Sequence, residues 1–167
     1  MNEDKSMELE DSRFQVDLRQ TIYALSNALD LVGIDEVHHG KRVGYMAMLC
    51  GHKLGLDVKS INDLFELGLL HDCGVSSSRV HQQLVDKVDW SEAREHCQVG
   101  HDLVKNFSPL AHMAVPILYH HTHWEDLKHM NLAPKLSLFA NLIYKTAMVN
   151  KPGGNKITLM VYSLLPQ

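Results

Sequence analysis

The chain has 167 residues, 45% of them hydrophobic and 22% charged, which supports one buried core and excludes wholesale disorder. Its net charge of -4, with histidines counted neutral, argues against bulk nucleic-acid binding. No apolar run approaches the ~20 residues that span a bilayer, and the acidic start, MNEDKSMELEDS, is not a secretory signal.

The first twelve residues read as a disordered acidic tail. From there the apolar period is helical nearly throughout. Phe14, Leu18, Ile22, Leu25, Leu29 and Val32 form one stripe, with Gly33 as its stop. His39, Val43, Met46, Cys50 and Leu54 form the next, followed by Gly55. Ser60 with Asp63 resembles a capping box that opens a third helix, carrying Ile61, Leu64, Gly68 and His71 on one face. Residues 73–78 read as a loop and 79–88 as a short amphipathic piece. Trp90 and Ser91 open a helix with Ala93, His96, Gly100, Leu103 and Phe107 in register. Pro109 starts another, with Leu110, Ala114, Ile117 and His121 in register. Residues 123–134 read as a loop, and Leu136, Phe139, Ile143 and Ala147 mark one more helix. Residues 151–155 form a turn by composition, and the apolar segment 156–167 is ambiguous between helix and strand. The expectation is an all-α bundle of about seven helices over residues 13–150, followed by a diverged or truncated end at 151–167.

Cys50, Cys73 and Cys97 have no paired spacing, which fits a reducing compartment, so a cytoplasmic protein is expected. Histidine is the unusual residue: the chain has twelve, about three times ordinary usage. His39, His71, His96 and His121 each fall on the apolar stripe of a different helix. A buried imidazole must find a hydrogen-bond partner or a metal, because a bare buried polar group costs roughly 1–3 kcal/mol. One metal-centred cluster would satisfy all four together. Asp72 sits beside His71 and His120 beside His121, and adjacent helical residues point about 100° apart. Such pairs can address two neighbouring ions, with a carboxylate to bridge them and offset their charge.

The order His39, His71-Asp72, His96 and His120-His121 resembles the HD superfamily of metal-dependent phosphohydrolases, and within it the HD-GYP branch. The local matches are HHGKRVGYMA at 38–47, LGLLHDCG at 67–74, EHCQVGHDLV at 95–104 and ILYHHTHW at 117–124. The resemblance covers about residues 30–147. It implies an HD-type helical bundle and metal ligands His39, His71, Asp72, His96, His120 and His121, with Asp72 bridging. Asp72 and Arg42 are the implied catalytic residues. Asp35 or Glu36 is a further acidic candidate. The implied cofactor is a divalent transition metal, two ions of iron, manganese or zinc. The implied reaction is phosphodiester hydrolysis of a cyclic dinucleotide such as cyclic di-GMP.

The sequence departs from the family in three places. The loop after His121 lacks Gly-Tyr-Pro, Val75 stands where a lysine is usual, and no Asp or Glu follows Asp126. Asn141, Ala147 and Asn150 occupy the region where the family places a last ligating Asp. A second expectation therefore stays open: a catalytically degenerate HD-like domain that binds a signalling protein partner. Cys73 and Cys97 flank proposed ligands, and although a thiolate binds metal, both read as small apolar core residues. His123, close to the histidine pair, is a weaker ligand or substrate candidate.

Overall fold

A computed structural model describes residues 16–32, 38–75 and 90–149, with side chains of the last segment described from Arg94. The acidic tail, Phe14, Gly33, Asp35, Glu36, the piece at 79–88 and everything from Asn150 onward lie outside the described residues. Among the described residues the fold is all-α, with seven α-helices and no strand. They are α1 (Leu18–Val32), α2 (His39–Lys53), α3 (Val58–Leu70), α4 (Trp90–Lys105), α5 (Ala114–Tyr119), α6 (Trp124–Leu127) and α7 (Pro134–Val149), with a 3-10 turn at Ala111–Met113 before α5. The architecture is consistent with the HD-type bundle implied by the resemblance. No described helix is long and apolar enough to cross a membrane.

The α2–α3 pair is the spine of the bundle. Gly55, at φ 69°, ends α2 as expected, but α3 opens differently. Asp57, not Ser60, caps it: the Asp57 carboxylate accepts the Ser60 backbone N–H at 2.9 Å and the Ser60 hydroxyl at 2.6 Å. The extended backbone at Asp57 places that carboxylate over the free N–H groups of the first turn. Asp63 instead sits inside α3, paired with Lys59, His112 and Lys135. The helices then meet backbone to backbone: a Cβ built on Gly68 would lie 2.2 Å from Gly44 Cα. Only glycine at both positions permits that approach.

Two expected stripes shift in register. On α1, Ile22 and Ser26 are buried while Leu25 is 49% exposed. On α4, His96, Cys97, Gly100 and Val104 face inward and Leu103 is exposed, as is Phe107 in the turn beyond the helix. Both sets follow the helical period, and the observed one is rotated about the helix axis toward Cys97 and Val104.

The region after α4 differs most from expectation. Pro109 lies in a turn, and the helix is reduced to the 3-10 turn and six residues of α5. Pro116 is tolerated there because the first N–H groups of a helix have no intrahelical partner. The expected loop at 123–134 contains α6, anchored by the fully buried Leu127. α7 begins at Pro134, a favoured first helical position. It is buried almost all round from Phe139 to Tyr144, as suits a helix packed against α2, α3, α5 and α6 at once.

Candidate metal and phosphodiester site

Four segments converge on the carboxylate of Asp72. Its Oδ2 lies 3.0 Å from His71 Nε2 and 3.8 Å from His39 Nε2. Its Oδ1 lies 3.4 Å from both His96 Nε2 and His120 Nε2. The two oxygens therefore face two different sets of imidazoles. His121 completes the second set, with its ring centroid 5.0 Å from that of His96 and 4.3 Å from that of His120. All six residues expected as ligands come together. Arg42 lies on α2, three residues after His39, with an exposed side chain.

The local fold explains these orientations. His71 and His120 are not mid-helix: each occupies the position that closes its helix. There each Nδ1–H donates to the carbonyl three residues back, His71 to Gly68 at 2.8 Å and His120 to Ile117 at 2.6 Å. That bond fixes the ring orientation and turns Nε2 toward Asp72. Of the histidine pair, His120 is the fully buried member and His121 is half-buried, the reverse of the expected stripe. The stripe reversed because α5 ends at Tyr119, so both histidines lie in the turn beyond it. Gly74, just after Asp72, fits under α4 only because it lacks a Cβ, which would lie 1.9 Å from the His96 carbonyl oxygen. This contact sets the His71-Asp72 turn against His96.

The electrostatics favour a bound cation. Burial pushes His120 down to about 4, the Asp72 carboxylate only partly opposing it. Burial and the neighbouring His120 push His121 to about 2. Both rings are therefore neutral lone-pair donors at neutral pH. Burial disfavours the charged forms of His71 and Asp72 alike, yet their mutual attraction and hydrogen bond prevail. His71 is raised, and Asp72, with His96 and His120 also beside it, is held well below the usual carboxylate range. His71 Nε2 and Asp72 Oδ2, 3.0 Å apart, are among the atoms that could hold a metal ion. The donor set, neutral imidazoles around one ionised carboxylate, fits imidazole-preferring divalent metals. Two groups among the described residues have converging ligand atoms: His39, His71 and Asp72, and His96, Cys97, His120 and His121.

Other residues border the cluster, some singled out in the sequence and some not. A cavity of about 840 Å³ adjoins the cluster, with Arg94, Cys97, Tyr119, His121 and His123 in its wall. His123 Nδ1 lies 3.4 Å from the Tyr144 hydroxyl, so α7 supports this wall. Cys97 Sγ lies 3.8 Å from His96 Nε2 and 3.6 Å from His120 Nδ1. Burial and the Asp72 charge push both the Cys97 and Cys73 thiols up to about 12. Asn141, on α7, is buried and its Oδ1 has no hydrogen-bond partner. The sequence signals for Arg94 and Tyr144 were absent: each lies on a helix face whose neighbours are set by tertiary packing.

The all-α bundle thus gathers five histidines around one carboxylate, that of Asp72. No family model matches it, and no solved structure matches it. Over 140 residues it is 39% identical to the 3'3'-cGAMP-specific phosphodiesterase 1 of Vibrio cholerae. The match takes in 84% of this chain and 32% of that protein, so the chain spans about a third of the relative's length.

Proposed function

We propose that this chain is an HD-type phosphodiesterase domain that hydrolyses a cyclic dinucleotide at a two-metal His/Asp site. The observation that carries this reading is the division of the Asp72 carboxylate, one oxygen toward His39 and His71, the other toward His96 and His120. The similarity to a phosphodiesterase of 3'3'-cGAMP supports the substrate class.

His39 and His71 would hold one ion, His96, His120 and His121 the other, with Asp72 shared between them. Bound divalent ions supply Lewis acidity to the phosphate oxygens and lower the pKa of water. The chain's own residues do the rest. The Gly68 and Ile117 carbonyls keep His71 and His120 aimed at Asp72. Asp72 balances positive charge at the centre. Arg42, exposed on α2, is the cation for a phosphate oxygen. The cavity beside His121 has room for the part of a dinucleotide away from the cleaved bond. Water adds to phosphorus, the ester oxygen leaves with a proton, and a linear product results.

Asp72→Ala tests this reading. Hydrolysis of 3'3'-cyclic dinucleotides should fall by about 10²-fold or more, and the bound metal should drop below one ion per chain while the helical content is kept. Full turnover in Asp72→Ala would overturn it. A second reading, a domain that binds nucleotide or a signalling partner without cutting, is favoured by the absence of any Asp or Glu after Asp126. Calorimetric binding of the cyclic dinucleotide to the wild type with no turnover under any divalent metal would select that reading.

A further inference from the structure

We propose that Cys97 is a metal donor, and that with His96, His120 and His121 it makes one half of the centre a sulfur-containing site selective for a soft divalent ion such as zinc. The proposal rests on the metal-centred reading above and adds to it a ligand and a metal preference.

Geometry carries the argument. Cys97 Sγ lies 3.8 Å from His96 Nε2, and His96 Nε2 lies 3.3 Å from His120 Nε2. In a tetrahedral zinc site, bonds of ~2.0–2.1 Å to nitrogen and ~2.3 Å to sulfur place nitrogen pairs about 3.3 Å apart and nitrogen–sulfur pairs about 3.5 Å apart. The observed separations sit at or just beyond those edges. The four residues each offer a donor atom within 4.8 Å of the others. A second observation points the same way. His96 is 1% exposed, yet its Nδ1 has no hydrogen-bond partner, so no such bond at Nδ1 holds the ring against adjusting to an ion.

The two halves then differ in chemistry. His39, His71 and Asp72 offer only nitrogen and oxygen, whereas the Cys97 half adds thiolate. Thiolate favours zinc over manganese, and carboxylate the reverse. Coordination converts the thiol to thiolate and releases one proton to solvent. Cys97 lines the cavity, which gives the ion and that proton a path. Cys73 belongs to neither ligand group, and its Sγ lies 3.9 Å from the Gly100 carbonyl oxygen.

Cobalt substitution of the full chain tests this. Wild type should show visible ligand-field bands together with a near-ultraviolet sulfur-to-cobalt charge-transfer band. Cys97→Ser should lose the charge-transfer band and keep the ligand-field bands; Cys73→Ser should keep both. Zinc affinity should fall about tenfold or more in Cys97→Ser, with manganese affinity within about twofold of wild type. Ligand-field bands without charge transfer in the wild type overturn the proposal and leave the two-metal reading standing, as does a charge-transfer band that survives in Cys97→Ser. No cobalt bands at all overturn both. Cadmium NMR on the unaltered chain gives the same answer without a variant: a thiolate donor moves one resonance strongly downfield, and its absence overturns the proposal.

Discussion

The α2–α3 pair and the α4–α5 pair both deliver imidazoles to Asp72, but they are joined differently. α2 and α3 touch through backbone at Gly44 and Gly68, where a Cβ on Gly68 would come within 2.2 Å of a Cα. α4 meets α5 at Gly100, where a Cβ would come within 2.9 Å of the Ile117 Cγ2 methyl. Backbone cannot yield without moving a whole helix, whereas a side chain can change rotamer. The half with His39 and His71 is therefore rigidly framed; in the other half α4 is held by backbone against Gly74, while the α4–α5 contact that carries His120 and His121 has more room to adjust.

The largest expected effect follows from that contrast. Gly68→Ala should cost about 3 kcal/mol of stability even after the gain in helix propensity. Gly100→Ala should change stability by only about 1 kcal/mol or less, since its milder clash is offset by the same gain. Urea titrations followed by circular dichroism measure both. Equal losses would show that the two contacts are equally stiff and remove the contrast.

An effect of similar size lies near the cavity. α6 has four residues and cannot sustain itself as a helix. Leu127, fully buried, is what fixes it to the bundle. Leu127→Ala should cost about 2–4 kcal/mol. It should also loosen the cavity wall, in which Asp126, His129 and Met130 take part. If the proposed function holds, KM should rise severalfold while kcat changes little. An unchanged KM alongside the expected stability loss would show that α6 is structural only.

The same contrast separates what the sequence discloses from what it does not. The long helices were legible because each carries several turns of an apolar period, and Val43, Ala47, Cys50, Leu64, Leu67 and Ile143 are all buried. Four of the candidate ligands, His39, His71, His96 and His121, were legible as imidazoles on apolar stripes; Asp72 and His120 stand beside two of them, and the family resemblance implied the full set. The stretch from Leu110 to Leu127 was not. Its helices are too short for a period to declare itself, and their placement depends on Leu110, Met113, Ile117 and Leu127 packing into a core formed by distant segments. That is why His121 was placed inward and the structure buries His120. Cys97, one residue after His96, reads as core filler in the sequence, and only the turn after α5 brings His120 and His121 against it.

The smallest expected effect concerns the start of α3 and separates cap from charge. The Ser60 hydroxyl and backbone N–H both donate to Asp57, and these bonds hold its carboxyl below the usual 3.8. A carboxyl depressed in the folded state stabilises above its unfolded value, and that contribution is lost as pH falls through the folded one. Stability should therefore decline as pH drops below about 4, with Asp57 responsible for part of the slope. Asp57→Asn keeps an acceptor for the cap and removes the titration. Its stability should match wild type closely near neutrality and fall less steeply in acid, as read from melting temperature across pH. Asp72 contributes to the acid slope in the same direction, so the comparison is best made in an Asp72→Asn background. An acid slope left unchanged there by Asp57→Asn would mean that the cap acts through its shape alone and that its charge contributes nothing to holding α3 against α2.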